Sequence, residues 1–380
     1  MNQVAQHDAH ATRGHGPPLV QIRGLSKSYG GIPALQGVDL DVVPGEVHGL
    51  VGANGAGKST LIRVLAGATQ PDTGEIRVDG QVVSLGSPQE STRLGLSFIH
   101  QELNLVPKFN ALQNITLGLP KPSRGGLIDW RAVRAQVDRV VHTLGLSAPL
   151  STPVKQLSVV DQWLVSIARA LVRDARLIAM DEPTASLSAG ESERLFKIVR
   201  DLSAAGIAVL YVSHRLDEVL ALCGQITVFK DGRRTLDVPR SSLDKPALIQ
   251  AIVGADVEGT VGVSGRARLG PPVLEVRRLA RPPAVQDVSL TLHAGEVVGL
   301  AGLVGAGRSE VARLLFGADR ATGGEMTLSG QAYRPRSPAD AVRRGVALVP
   351  EERRSEGLLL DKSVAFNINL ADLAPLRSGG

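Results

Sequence analysis

The residue types and spacings that could do chemistry gather first at Gly52-Ala53-Asn54-Gly55-Ala56-Gly57-Lys58-Ser59-Thr60. The run fits G-x-x-x-x-G-K-[ST] at every fixed position, after the apolar stretch Val47 to Val51 and before a helix-like stretch from Thr60 to Ala66. Glycines let a backbone wrap closely round an anion, so N–H groups from Asn54 to Ser59 can point at phosphate oxygens at the positive end of the next helix. Lys58 is then placed for the β- and γ-phosphates of a nucleotide, and the Ser59 hydroxyl for Mg²⁺. A Gly-rich turn that binds nothing is the plainer alternative.

Other reactive types fall at the ends of apolar runs. Leu177-Ile178-Ala179-Met180 reads as a buried parallel strand with Asp181 and Glu182 at its exit. Beside a phosphate loop, Asp181 suits Mg²⁺ held through water, and Glu182 suits taking a proton from an attacking water. Two such acids could instead cap a helix. Ala208 to Val212 repeats the logic and delivers His214 to the same rim, toward a γ-phosphate, against the alternative of a structural histidine. Leu96-Ser97-Phe98-Ile99-His100 ends at Gln101, whose amide can help bind Mg²⁺ and the attacking water. Tyr29, just upstream of the nucleotide loop, can stack on an adenine ring or pack its own loop. Leu157-Ser158 caps a helix expected from Val160 to Val172, whose N-terminus can face a phosphate.

The elements that must position these groups read as α/β throughout. Leu19 to Arg23 alternates apolar and polar, Val38 to Val42 is strand-like, and Thr73 to Gly80 is a short strand between turn residues. Between 111 and 143 the spacing of Trp130, Val133, Val137, Val140 and Val141 suits an inserted helical subdomain. Residues 1–18 read as a disordered leader without an apolar h-region, 19–253 as a first nucleotide-binding domain, 254–272 as a Gly- and Val-rich linker, and 273–380 as a second domain.

The 380 residues suit two or three domains, 43% are hydrophobic and 21% charged, and no apolar run reaches the roughly 18 to 20 residues of a membrane span. Any membrane role is therefore expected to be peripheral, and the chain cytoplasmic. A single cysteine, Cys223, excludes an intramolecular disulfide and a cysteine-based zinc site. His7, His10 and His15 in the leader are read as solvated. The net charge is +5, yet Lys and Arg are spread along the chain without a block, a diffuse positive surface that does not single out nucleic acid.

Beyond the linker the chain repeats itself. Gly45-Glu46-Val47-His48-Gly49-Leu50-Val51-Gly52 returns as Gly295-Glu296-Val297-Val298-Gly299-Leu300-Ala301-Gly302, 250 positions on. The register holds through Gly305, Gly307, Ser309 and Gly330 to Glu351, which stands where the first copy has Gln101. A duplication explains this. The copies differ where chemistry matters: Arg308 replaces Lys58, a planar fork in place of a compact ammonium, and Glu351 brings a negative charge toward a γ-phosphate. The second site, built on Gly302, Gly305, Gly307, Arg308, Ser309 and Glu351, is expected to bind nucleotide weakly or without hydrolysis.

In this order the motifs resemble the ATP-binding subunits of ABC transporters, most closely the tandem-domain subunits of bacterial pentose and hexose importers, over about residues 19 to 370. Pro44 to His48, Phe98 to Leu105, Gly302 to Arg308 and Val349 to Arg353 carry the finer likeness. The resemblance implies a P-loop ATPase fold with an inserted helical subdomain, followed by an incomplete second copy. It gives Tyr29 the adenine, Gly52 to Thr60 the phosphates, Ser59, Gln101 and Asp181 the Mg²⁺, and Glu182, His214 and Gln101 the catalytic roles. Leu157-Ser158-Val159-Val160-Asp161-Gln162 is the signature that faces a partner's nucleotide. ATP hydrolysis would then energise monosaccharide import from the cytoplasmic face of the membrane, with permease subunits and an extracytoplasmic sugar-binding protein as partners.

Two departures qualify this. Val160 stands where the family has a small residue, and a β-branched side chain there is expected to impede backbone approach to phosphate. The repeat offset also places a second signature, second acids and second switch histidine beyond Gly380, so the first site is expected to lack its closing signature unless a homodimer supplies Leu157-Ser158. That leaves open a shortened nucleotide-binding protein with little ATPase activity. A soluble tandem ATPase acting on nucleic acid or ribosomes fits less well, given Arg308, the short linker and the single cysteine.

Overall fold

The computed structural model describes residues 16–100, 103–124, 126–185, 187–254, 269–302, 305–350 and 356–370. It divides into two compact units, Met1–Val261 and Gly262–Gly380. The division falls inside 254–272; residues 255–268, and residues 1–15 of the expected leader, lie outside the described ones.

The first unit is built on two sheets. One is antiparallel, with strand order β2 (Ile32–Val42), β1 (Val20–Tyr29), β4 (Thr73–Val78), β5 (Gln81–Val83). The other has six strands in the order β12 (Arg233–Pro239), β11 (Gln225–Lys230), β3 (Val47–Gly52), β10 (Ala208–Val212), β9 (Leu177–Asp181), β6 (Leu96–Ile99), all parallel except β12.

All six residues of β3 are buried, which is why it reads as an unbroken apolar run. Period-two alternation sends Val47 and Val51 into a core with the helices, while Leu50 joins the core formed with helix α1 (Lys58–Leu65) and the antiparallel sheet. Helix α2 (Pro88–Arg93) precedes β6 and is capped by Ser87. The opposite face is covered by α5 (Val159–Leu171), α6 (Ala189–Ala204), α7 (Leu216–Leu222) and α8 (Lys245–Val253). Because the strands run parallel, Ile99, Asp181, Val212 and Gly52 all end on one edge, where ligands meet sheets of this kind.

The expected helical insertion is present as α3 (Ala111–Ile115), a small hairpin of β7 (Ser123–Arg124) and β8 (Leu127–Ile128), and α4 (Trp130–Leu144). Val133, Val137, Val141 and Leu144 form the buried stripe of α4. Trp130, expected on that stripe, is half exposed, as is Ile128 before it, and Leu127 is largely exposed, so burial begins one turn into the helix.

In the second unit a sheet of order β14 (Val285–His293), β13 (Pro272–Arg281), β15 (Gly323–Leu328), β16 (Gln331–Ala332) packs with α9 (Arg308–Phe316) and α10 (Pro338–Arg343); α11 is Val364–Asn369. The duplication reaches individual contacts. A Cβ on Gly57 would meet the Ala34 carbonyl at 2.6 Å, and one on Gly307 the Ala284 carbonyl at 2.5 Å. Val20 pairs with Val42 in the first copy and Leu274 with Leu292 in the second, so the second hairpin is four residues shorter.

The repeat is broken at the central strand and resumes at α9. Residues 297–301, matching β3, form no strand, and Val297 is 98% exposed. A central parallel strand takes its backbone partners from segments distant in sequence, as β3 does from β10 and β11, and no such neighbour is found among the described residues of this unit.

Candidate functional site

Where β3 ends, the chain turns through positions only glycine can hold. Gly52 has φ 151°, and a Cβ there would lie 2.2 Å from the Phe229 carbonyl oxygen; Gly57, at φ 105°, caps α1. The loop between them thus ends on a helix N-terminus with Lys58 and Ser59 in its first turn. The Lys58 ammonium donates to the carbonyls of Gly52 at 2.7 Å and Ala53 at 3.0 Å.

Burial pulls the Lys58 pKa below the ordinary lysine value, with the charges of Glu182 and Asp181 opposing. At the end of β9, burial pushes the Asp181 carboxyl above the usual range; the Glu182 charge adds to this, and His100, Lys58 and Arg63 oppose it.

Glu182 adopts φ 49°, the left-handed region, and its N–H donates to the Val212 carbonyl at 2.9 Å. This bend turns the carboxylate toward the exit of β10, where its Oε1 lies 3.0 Å from His214 Nδ1. A cavity of about 430 Å³ runs from Asn54 and its loop neighbours to Glu182, Ser213 and His214, with Leu216 and Ile252 also in its lining. Asn54, Glu182 and His214 thus meet on one cavity, and Lys58, bonded to the Gly52 and Ala53 carbonyls, interacts electrostatically with Glu182 and Asp181.

Tyr29 ends β1 with its ring exposed, Lys27 Nζ 5.7 Å from the ring centre, and is not part of the cavity lining. Gln101 and Glu351 lie outside the described residues.

Ser158 is the N-cap of α5: its hydroxyl accepts from the Asp161 N–H at 3.1 Å and donates to the Asp161 carboxylate at 2.8 Å. Gln162 bonds back to the Leu157 carbonyl, and Asp161 pairs with Arg194 at 3.3 Å without hydrogen-bond geometry. Val160, expected to impede backbone approach to a phosphate, is a core residue of this unit. Helical spacing from the cap turns Val160 into the core, 1% exposed, and leaves Val159 facing outward. These six residues stand outside the cavity lining.

In the second unit Gly305 and Gly307 share the left-handed geometry of the first loop, and exposed Arg308 and Ser309 open α9. Residues 297–302 before them form no sheet.

Among the described residues no cluster of three or more His, Cys, Asp or Glu could hold a metal by itself. Ser59 and Asp181 offer hard oxygen donors, a set that fits Mg²⁺ arriving with phosphates, since that ion keeps most of its shell from water and ligand.

Sequence reasoning missed Ser213, Leu216 and Ile252 in the lining, the charges of His100 and Arg63 on Asp181, and Glu218 beneath the rim. Leu216 and Ile252 carry no signal beyond apolar character, because their place depends on how α7 and α8 pack.

The family model described as ABC transporter matches residues 35–185 and 285–370. A ribose import ATP-binding protein of Rubrobacter xylanophilus is 44% identical over 94% of this chain and 69% of its own length. An arabinose import ATP-binding protein of Burkholderia cenocepacia is 43% identical over 98% and 72%, and a ribose import ATP-binding protein of Rhodococcus jostii 43% over 96% and 72%. Among solved structures, a nucleotide-free ATP-binding cassette of an ABC transporter superposes with a TM-score of 0.56 at 26% identity, covering 63% of this chain and all of that one. A dimeric cassette in a post-hydrolysis state with ADP and phosphate gives 0.51 at 26%, covering 58% and 98%.

Proposed function

The chain belongs to the ABC transporter family, among the ATP-binding proteins of sugar import, and we propose that its first unit drives uptake of a pentose by hydrolysing ATP at the cavity beside Gly52 to Thr60. It is an ATPase energising monosaccharide import. The ribose and arabinose import names of its relatives support the pentose reading.

The contact of His214 with Glu182, at 3.0 Å on the wall of that cavity, carries the assignment of roles. The loop N–H groups and Lys58 bind the phosphates, and Tyr29 offers its exposed ring to adenine. Glu182 takes the proton of the attacking water, and His214 holds that carboxylate in place while its ring faces the γ-phosphate position. Ser59, Asp181 and Gln101 would hold Mg²⁺, which supplies charge neutralisation on the phosphates. His214 is the more exposed of the pair, so its ring has room to meet a ligand.

No helix among the described residues is long and apolar enough to cross a membrane. The import names of the relatives support permease subunits that provide the path, with a sugar-binding protein outside and this chain bound at the cytoplasmic face. Leu157 to Gln162 faces the nucleotide of a paired cassette; the dimeric neighbour structure supports pairing of cassettes as such.

The test is nucleotide binding and phosphate release. Glu182→Gln is expected to lower turnover about 10²- to 10⁴-fold, the range of a lost general base, and to keep ATP affinity. Lys58→Ala is expected to lose ATP affinity. A wild-type chain that binds no ATP, or a Glu182→Gln variant with unchanged turnover, would overturn the assignment.

A further inference from the structure

Glu218 sits in the first turn of α7, four residues past His214, with a side chain 12% exposed. Its Oε2 accepts from the Thr184 hydroxyl at 2.6 Å, the Tyr211 phenol at 2.9 Å and the Ser213 hydroxyl at 3.5 Å, the last marginal. Its Oε1 meets the Arg215 guanidinium at 3.2 Å. The three hydroxyls belong to buried residues and come from different places: Thr184 from the turn just past Glu182, Tyr211 from the body of β10, Ser213 from the residue before His214. One carboxylate thus joins the two chain segments that carry the contact of Glu182 with His214.

We propose that Glu218 is a positioning residue for ATP hydrolysis, tying the turn after Glu182 to the end of β10 so that Glu182 and His214 stay in register. This rests on the roles given to those two residues above.

The chemistry suits the task. An ionised carboxylate has acceptor capacity for several donors and no donor of its own, and hydrogen bonds to a charged acceptor are stronger than neutral ones. Glu182 needs such support because it is a non-glycine residue held at φ 49°, a conformation kept only where its surroundings over-determine it. Its N–H bond to Val212 fixes the backbone on one side, and the Thr184 hydroxyl bond fixes the turn on the other. Ser213 is held from both directions, accepting from the Arg215 N–H at 3.0 Å while its hydroxyl points to Glu218. The Tyr211 bond anchors the carboxylate itself to the sheet. Burial and the adjacent Glu218 charge push the Tyr211 phenol far above its ordinary value, so it remains a donor throughout the working pH range.

The experiment compares the wild type with Glu218→Ala, Glu218→Gln and Thr184→Val in the full chain. The His214 ring nitrogen signals are followed by NMR, assigned with His214→Gln, alongside ATP affinity, turnover and melting temperature. Glu218→Ala is expected to move the His214 Nδ1 signal and lower kcat at least tenfold, with ATP affinity within twofold of the wild type. Thr184→Val, which removes one bond and little volume, moves the same signal in the same direction and serves if Glu218→Ala does not fold. Glu218→Gln, which keeps an acceptor oxygen for Thr184 and Tyr211, restores the signal and most of the turnover. A His214 signal unmoved in both Glu218→Ala and Thr184→Val overturns the proposal, as does a Gln variant as impaired as the Ala variant. The NMR reading does not depend on turnover, and a wild type that binds no ATP would sink the functional reading instead.

Discussion

At the scale of residues, two side chains with opposite shifts set how the site responds to pH. Lys58 has its pKa lowered by burial, so above its folded value it stands neutral where a free lysine would still be charged. In the phosphate-binding role proposed for Lys58 the charged form is favoured, so ATP binding is expected to take up a proton between the lowered value and 10.5. ATP affinity is expected to weaken as pH rises through that window, and calorimetry in buffers of different ionisation enthalpy should register the uptake. Asp181 runs the other way: its pKa is raised above 3.8, so the native chain holds more protons than the unfolded one between that value and the folded pKa. Stability from this group is therefore fully present below 3.8 and falls as pH rises through the folded value. In the Mg²⁺-binding role proposed for Asp181 the ionised form is needed, so Mg²⁺ affinity is expected to climb, with proton release, across the same window. Titrating Mg²⁺ against the nucleotide-bound chain at several mildly acidic pH values checks this; an affinity flat down to the ordinary aspartate range would contradict it.

At the scale of elements, α5 shows why the signature segment was half legible. Ser158 at the start of an apolar-periodic run signals an N-cap, and the helix begins at Val159 as that rule requires. The orientation of Val160 was not legible, because two adjacent valines look alike until the angle set by the cap decides which one meets the core. Val160→Ala is accordingly expected to cost about 1.5–3 kcal/mol, the loss of two buried methyl groups, and Val159→Ala less than about 0.5 kcal/mol. Ser158→Ala, losing the cap, should cost about 1 kcal/mol. Denaturant midpoints followed by fluorescence separate the three, since both tryptophans, Trp130 and Trp163, lie in the first unit. The strands that end in reactive residues were legible for a related reason: burial on both faces leaves an apolar run that stops where polar groups begin, at Asp181, Ser213 and the phosphate loop. Glu218 left no such mark, because its function depends on hydroxyls gathered from Thr184, Tyr211 and Ser213 that only the parallel register of β9 and β10 brings together.

At the scale of the whole molecule, the duplication sets up its own control experiment. Leu50 and Leu300 occupy the same repeat position, 250 residues apart, within the matching runs that lead into the two glycine loops. Sequence treats them as equals, and the fold does not. Leu50 is fully buried in a strand hydrogen-bonded on both sides, while Leu300 is 45% exposed in a segment without strand pairing. Hydrophobic stabilisation follows the area removed from water and the cavity a truncation leaves. Leu50→Ala should therefore destabilise the first unit by about 2–5 kcal/mol, and Leu300→Ala should change the second by less than about 0.5 kcal/mol. Hydrogen exchange resolves the units separately: protection of β3 and β10 should fall steeply in the first variant, and that of β13 and β15 should hold in the second. The second unit's buried core rests instead on Leu279, Val285, Leu314 and Tyr333, with its antiparallel sheet and α9. If Leu300→Ala strips protection from β13 as Leu50→Ala does from β3, the segment 297–301 is packed as a strand in solution, and the two copies share their central sheet as well as their outer one.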